Sequence, residues 1–435
     1  MQKIRLSNGI KLLYEKVPGD ITSFTIGFDA GANKEEKDKL GIAHATEHMI
    51  FKGTKTKTEK EINDLCNEYL GFHNAMTNYP YVVYYGSCLK EDFEKGFGVY
   101  FDIVFNPAFK EEGFKEEISV ILEELREWGD DVVQHCEDML FFNTFKNRRI
   151  KELIIGKEEL IKKFKVEDLK NFHKMNYTEQ NCVISVVTSL NLNEVVSIIE
   201  SNIQIFKSID TRKNIDIDFK NNLPYNEKDL MLDDYDERIY PLYENPITGI
   251  FEEENYSING CKVQYIFPIH ELSEREITVL RLFNEFFADG TSSILYDEIR
   301  TKRGLVYDIQ GKVKSEKGIK LYTITLSTAE ENLEKVLDII EENLVKIKSN
   351  EYPFKDIFND EFFRKYCKSQ NRKRMMSLEK SIVMSMNLVV YEIMHSSSEL
   401  LLNEFNTLNY PTQDKMIEIL NKVFEIKSVG IIRSV

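Results

Sequence analysis

The order of local patterns in this chain repeats, and that repetition constrains its fold more than any other feature. Residues 21–30 read as a strand, and a helix bounded by Gly41 and Gly53 follows, closing in Phe51-Lys-Gly-Thr54. In the second half residues 261–269 read as a strand, and Ser273-Glu-Arg-Glu276 is a capping box opening a helix to Phe287. That helix closes in Phe287-Ala-Asp-Gly-Thr291. Strand, helix and Gly-Thr in both halves predict an internal duplication, two copies of one unit. At 435 residues the chain also exceeds what a single core supports. The expected fold is therefore α+β: two homologous domains, each a mostly antiparallel sheet packed against helices. The first spans residues 1–208 and the second 251–435. Between them 209–250 forms an acidic linker, because residues 206–255 carry much charge, Pro224, Pro241 and Pro246, and little periodicity.

Finer signals fill in the first copy. Asn8-Gly9 between two apolar runs marks a hairpin. Thr58-Glu-Lys-Glu61 is a capping box opening a helix to about Leu70, and residues 72–77 and 81–88 read as two strands joined at Asn78-Tyr79-Pro80. Helices over 91–105 and 111–128 are separated by Asn106-Pro107, helical patterns dominate 132–175, and 182–188 is a β-branched strand. In the second copy a helix runs through Arg300, strands cover 309–314 and 320–327, and two helical stretches precede a last strand at 428–434.

Chemistry concentrates in the first Gly-bounded helix, which carries His44-Ala-Thr-Glu47-His48. Residues four apart lie one above the other on a helix, so His44 and His48 share a face, and Glu47 projects toward the same side. Two imidazoles with an adjacent carboxylate suit a hydrolytic zinc site that leaves positions open for water. The order, His-x-x-Glu-His, inverts the common His-Glu-x-x-His. The plain alternative is an amphipathic helix with half-buried histidines. A third ligand would be needed, and the helix over 111–128 offers Glu117 and Glu124, two turns apart on one face; taken alone, these read better as a solvated acidic face.

Bulk properties narrow the partners. A net charge of −16 argues against nucleic acid or an anionic membrane and favours basic peptides or cations. Six cysteines are scattered singly, which suits a reducing compartment, and no run of eighteen apolar residues occurs. A cytoplasmic location is expected.

The segments GIAHATEHMIFKGT, FHNAMTNYPYVVYY, NPAFKEEGFKEEISVILEEL and GTSSILYDEIRTKRGLVY, in that order, resemble the pitrilysin/insulinase family of zinc metallopeptidases. The resemblance is to its half-length branch, similar to mitochondrial processing peptidase and its bacterial homodimeric relatives. It covers nearly the whole chain and implies the processing-peptidase-like metallohydrolase fold. It also implies one Zn2+ per chain, with His44, His48 and Glu124 as ligands, Glu47 as general base, and Glu117 behind a ligand, orienting it. Asn74 and Ala75 match an edge strand that receives extended peptide by strand addition. Arg300 and Tyr307 match a pair that holds the substrate carbonyl. His73, His270 and His395 match no motif and are expected to be structural. Ala45-Thr46 fills the middle of the motif where bulkier residues are frequent in the family.

The implied activity is endopeptidase cleavage of unfolded peptides in a clamshell homodimer, each site completed in trans by the partner's Arg300 and Tyr307. An alternative is a dedicated processing peptidase acting on one precursor with a degenerate partner subunit. A non-catalytic scaffold paralogue is a third reading, against which stands the complete set of ligands.

Overall fold

In the computed structural model residues 1–209, 240–255, 258–406 and 408–434 are described. Six strands form the first sheet: β1 (Gln2–Arg5), β2 (Lys11–Lys16), β3 (Ile21–Phe28), β4 (Phe72–Thr77), β5 (Val82–Leu89) and β6 (Cys182–Thr188). Their spatial order is β1-β2-β6-β3-β5-β4. Five strands form the second: β7 (Gly249–Asn255), β8 (Cys261–Pro268), β9 (Val306–Glu316), β10 (Ile319–Thr328) and β11 (Ser428–Ser434), ordered β7-β11-β8-β10-β9. In the first sheet β2 and β6 run parallel and every other pair is antiparallel. In the second, β7 and β11 are the parallel pair. Without β1, the two sheets have the same order and the same single parallel pair in the same place. The duplication expected from the repeated patterns is present as repeated topology.

The helices are α1 (Ile42–Ile50), α2 (Glu59–Tyr69), α3 (Phe93–Phe105), α4 (Phe114–Trp128), α5 (Val132–Thr144), α6 (Glu158–Ile161), α7 (Val166–Asn176) and α8 (Leu192–Ile209) in the first half. The second half carries α9 (Glu274–Phe287), α10 (Leu333–Lys348), α11 (Asp360–Ser377), α12 (Ser381–His395), α13 (Glu399–Asn403) and α14 (Gln413–Val423). Both predicted capping boxes are formed, Thr58 with Glu61 and Ser273 with Glu276, each side chain bonding the other's backbone. No described helix is long and apolar enough to cross a membrane. All six cysteines are buried free thiols.

Two units divide the chain, and they are not contiguous in sequence. One comprises Met1–Glu123, the described part of Ile154–Ile239, and Ser377–Leu402; the other comprises Glu124–Leu153, Tyr240–Met376 and Asn403–Val435. Each half thus lends a helix to the other. Helix α12, late in the sequence, covers β3, β5 and β6 of the first sheet, while α5 covers β8 and β11 of the second. The borrowed helices come close: a Cβ on Gly27 would stand 2.4 Å from Val389 Cγ1, and one on Gly430 would stand 3.0 Å from Leu140 Cβ. The units therefore cut across the contiguous spans 1–208 and 251–435. An apolar sheet face must be covered, but helical periodicity does not say by which segment. Of the linker expected over 209–250, residues 210–239 lie outside the described residues, and Gly249 already opens β7.

In the first unit, Leu13, Val83, Val183 and Val187 pack against Leu388 and Val389 of α12. The opposite face carries Phe24, set edge-on to Phe97 and Tyr100 of α3. In the second unit Phe283, Phe287, Phe354, Phe358 and Phe424 anchor the main core.

Candidate metal centre

Helix α1 buries Ile42, Ala43, Ala45, Thr46, Met49 and Ile50, which leaves His44, Glu47 and His48 on its remaining, half-buried face. The short pair Ala45-Thr46 fits beneath: Ala45 is fully buried and the Thr46 hydroxyl donates to the Ile42 carbonyl at 2.7 Å. The helix starts abruptly. Gly41 has φ of 93°, and a Cβ there would lie 2.3 Å from the Ile155 carbonyl oxygen. Buried Glu35 accepts the N–H groups of Gly41 at 3.1 Å and Ala43 at 2.9 Å, placing a carboxylate at the helix N-terminus where free N–H groups and the dipole favour it. Nothing local in the sequence marks Glu35, because an acidic residue six positions upstream of Gly41 matches no capping pattern.

The ligand atoms of His44, His48 and Glu124 all lie within 4.8 Å of one another. The His44 and His48 rings are 4.5 Å apart, centroid to centroid. Around one tetrahedral zinc with bonds of about 2.0–2.1 Å, donors stand about 3.4 Å apart, so this set fits such an ion in number, type and spacing. Glu124 sits on α4; the division between the units falls just before it, and the helix runs through unbroken.

Glu117, two turns earlier on α4, meets both His48 and Lys52. His48 Nδ1 donates to Glu117 Oε1 at 2.8 Å, which fixes the tautomer and leaves the Nε2 lone pair for a metal. The other Glu117 oxygen lies 3.2 Å from Lys52 Nζ, and Lys52 also holds Glu59 at 2.7 Å. Burial alone would raise the Glu117 carboxyl, but the hydrogen bonds and charges of His48 and Lys52 outweigh it and hold the pKa below the usual value. Glu47 accepts a hydrogen bond from the Thr77 hydroxyl at the end of β4.

Strand β4 is the outer strand of its sheet, as strand addition requires. Ala75 pairs with Tyr84 of β5, yet its N–H goes to its neighbour Asn74 Oδ1 at 2.8 Å, so this donor faces the open edge. Between this edge and α1 lies a cavity of about 380 Å³, lined by Glu47, His48, His73, Asn74, Ala75 and Glu117 among others. His73, expected from the sequence to be structural, lines this cavity, with Nδ1 3.0 Å from the Tyr100 hydroxyl. Burial lowers the His73 pKa and raises that of Tyr100, so both are neutral at pH 7. Period-2 placement on β4, with His73 and Thr77 on one face, was the signal available for it.

Arg300 and Tyr307 belong to the second unit and meet each other there. Arg300 lies on a π-helical turn, Tyr296–Thr301, with its guanidinium carbon 4.9 Å from the Tyr296 ring and 5.6 Å from that of Tyr307. Tyr307, at the start of β9, is 81% exposed, so its phenol is open to an incoming group. His270 stacks on Tyr243 at 5.6 Å, and His395 lies 5.3 Å from the Tyr391 ring, as structural histidines do.

Residues 11–158 match the family model described as insulinase, peptidase family M16, and residues 163–358 match that described as peptidase M16 inactive domain. The chain belongs to peptidase family M16. Among its M16 relatives, the zinc protease YmxG of Bacillus subtilis is 26% identical over 97% of this chain and 92% of its own length. The mitochondrial-processing peptidase subunit beta of Dictyostelium discoideum is 32% identical over 44% of this chain and 41% of its own length. In fold, the M16 chain is similar to a protease from Helicobacter pylori, with a TM-score of 0.79 and 18% identity over 99% of both chains.

Proposed function

We propose that this M16 chain is a zinc endopeptidase acting on unfolded peptides. The observation that carries this reading is the convergence of His44, His48 and Glu124 within 4.8 Å, with Glu117 holding His48. These three residues would hold zinc, which when bound polarises a scissile carbonyl and lowers the pKa of a water in the site to about 7. Glu47 takes the proton of the attacking water and passes it to the leaving amine, its carboxylate steadied by the Thr77 hydroxyl. The open edge of β4 pairs with substrate backbone. An incoming strand finds the Ala75 N–H once it displaces the Asn74 side chain, which favours extended chains over folded ones. The carboxylates of Glu47, Glu59 and Glu117 around the cavity suit peptides with basic side chains.

The test is zinc content together with peptide hydrolysis. Wild-type protein should carry one zinc per chain, and Glu47→Gln should keep the metal while hydrolysis falls about 10²–10⁴-fold. Unchanged turnover in Glu47→Gln would remove the general base from the reading.

Arg300 and Tyr307 would donate to the carbonyl oxygen from a partner subunit. If the site is shared in trans within a homodimer, mixing Glu47→Gln subunits with Arg300→Ala subunits restores hydrolysis that neither variant shows alone. The likeness to processing-peptidase beta subunits favours a second reading, in which a degenerate partner subunit completes the enzyme and one precursor is cut. Full activity of the isolated homodimer would decide against it.

A further inference from the structure

Helix α11 stands out in an acidic protein. Its span from Asp360 to Ser377 carries six cationic side chains against two acidic ones, in a chain of net charge −16. Several are already matched. Arg364 meets Asp360 at 3.0 Å, Lys373 meets Glu285 and Asp289 at 3.2 Å, and Arg374 meets Glu404 at 2.7 Å. Lys368 and Arg372 are different. Among the described residues neither has an ion pair, and Arg372 reaches only the Ser369 hydroxyl, at 3.5 Å.

These two lie four residues apart, on one face of the helix. That face borders a shallow groove of about 700 Å³, whose walls include Lys368, Arg372, Met375, Met376, Phe405 and Tyr410 and no carboxylate. Phe405 is buried beneath Arg374, whose guanidinium carbon lies 4.7 Å above the ring, and Tyr410 stacks on Phe363 at 5.3 Å. Met375 and Met376 are 75% and 69% exposed. A basic helix face that was merely solvated would not need two bare thioethers beside an aromatic floor. Methionine at such a place gives an adaptable apolar contact.

We infer that this groove docks an acidic peptide bearing apolar side chains, the carboxylates meeting Lys368 and Arg372 and the apolar groups meeting Met375, Met376 and Phe405. Charge complementarity selects the partner's sign. Length selects a peptide over a polyanion: an extended anionic surface would bring its charges within a Debye length, about 8 Å, of the acidic remainder of the molecule and be repelled, whereas a short chain stays within the basic patch. The inference concerns the second unit alone and does not depend on the metal site.

The experiment uses full-length Glu47→Gln protein, so that a cleavable probe stays intact, and a fluorescein-labelled decapeptide alternating acidic residues with Leu and Phe. Anisotropy should show saturable binding that weakens with salt, while a Lys-based peptide of the same length does not bind. Lys368→Glu with Arg372→Glu should weaken binding at least about tenfold, as loss of two charged anchors does. The milder Lys368→Ala and Arg372→Ala variants, with melting temperatures unchanged, should give the same direction. Binding indifferent to these substitutions, no saturable binding, or capture of phosphatidylglycerol vesicles in place of the peptide would each overturn the proposal. Wild-type protein that binds the probe but hydrolyses no peptide would count against the peptidase reading and leave this one standing.

Discussion

At the scale of single residues, Glu117 illustrates how a carboxylate can hold a histidine of the candidate metal centre in place. It accepts a hydrogen bond from His48 Nδ1 and is itself held by Lys52. Replacing it with Gln keeps the shape but weakens the orienting bond, and zinc affinity measured by chelator competition should fall about 10–100-fold. Activity lost without any loss of affinity would instead place Glu117 in the chemistry. The pentapeptide made His44, Glu47 and His48 legible, since a helix puts i, i+3 and i+4 on one face. Spacing could not rank Glu117 against Glu124, seven residues apart on the same stripe; family resemblance pointed to Glu124 as ligand, and the geometry separates their contacts. Glu35 and His73 were illegible for a different reason. Each acts through a neighbour distant in sequence, Glu35 through the start of α1 and His73 through Tyr100, and no local pattern reports such contacts.

Among elements, α1 depends on a start that only glycine permits. Gly41→Ala would force a Cβ into the Ile155 carbonyl at a positive φ, so a loss of about 1–3 kcal/mol is expected from urea unfolding, with zinc binding weakened because His44 sits in the first turn. An unchanged midpoint would mean that the backbone relaxes there at no cost. The outer position of β4 came from the family resemblance alone, whereas capping boxes and the strands β6 and β11 were readable because their signals are local. Strand β7 was not. Its Glu252, Glu253 and Glu254 fall in the charged, aperiodic stretch 206–255, yet it forms the parallel outer strand of the second sheet, mostly exposed. Charge on an outer strand blocks unwanted pairing and at the same time hides the strand from a hydrophobicity pattern.

Over the whole molecule, the borrowed helix α12 is tied down by a buried carboxylate. Glu392 meets Lys3 at 3.1 Å and Lys11 at 3.2 Å, on β1 and β2, with none of its side chain exposed. Burial raises its pKa, but Lys11, Lys3 and the Ser398 N–H outweigh burial and lower it overall. A carboxyl lowered in the fold contributes stability that is present above its unfolded value of about 4.3 and is lost as pH falls toward the folded one. Melting temperature should therefore decline below about pH 4.5, and Glu392→Gln should reduce that decline while lowering stability at pH 7 by about 3 kcal/mol through unpaired lysines. An acid limb unchanged by the substitution would move the effect to other carboxylates, such as Glu404 between Arg281 and Arg374.

The exchange of α5 and α12 has a consequence for how such a chain can be inherited. Tandem repeats that each close their own core can be trimmed to one copy or shuffled singly. Here a single copy would leave Leu13, Val83, Val183 and Val187 bare on one side, and Cys136 and Leu140 without the strands they cover on the other. Two copies joined in this way have become one heritable object: a gene carrying only the first half would encode a sheet still waiting for its cover.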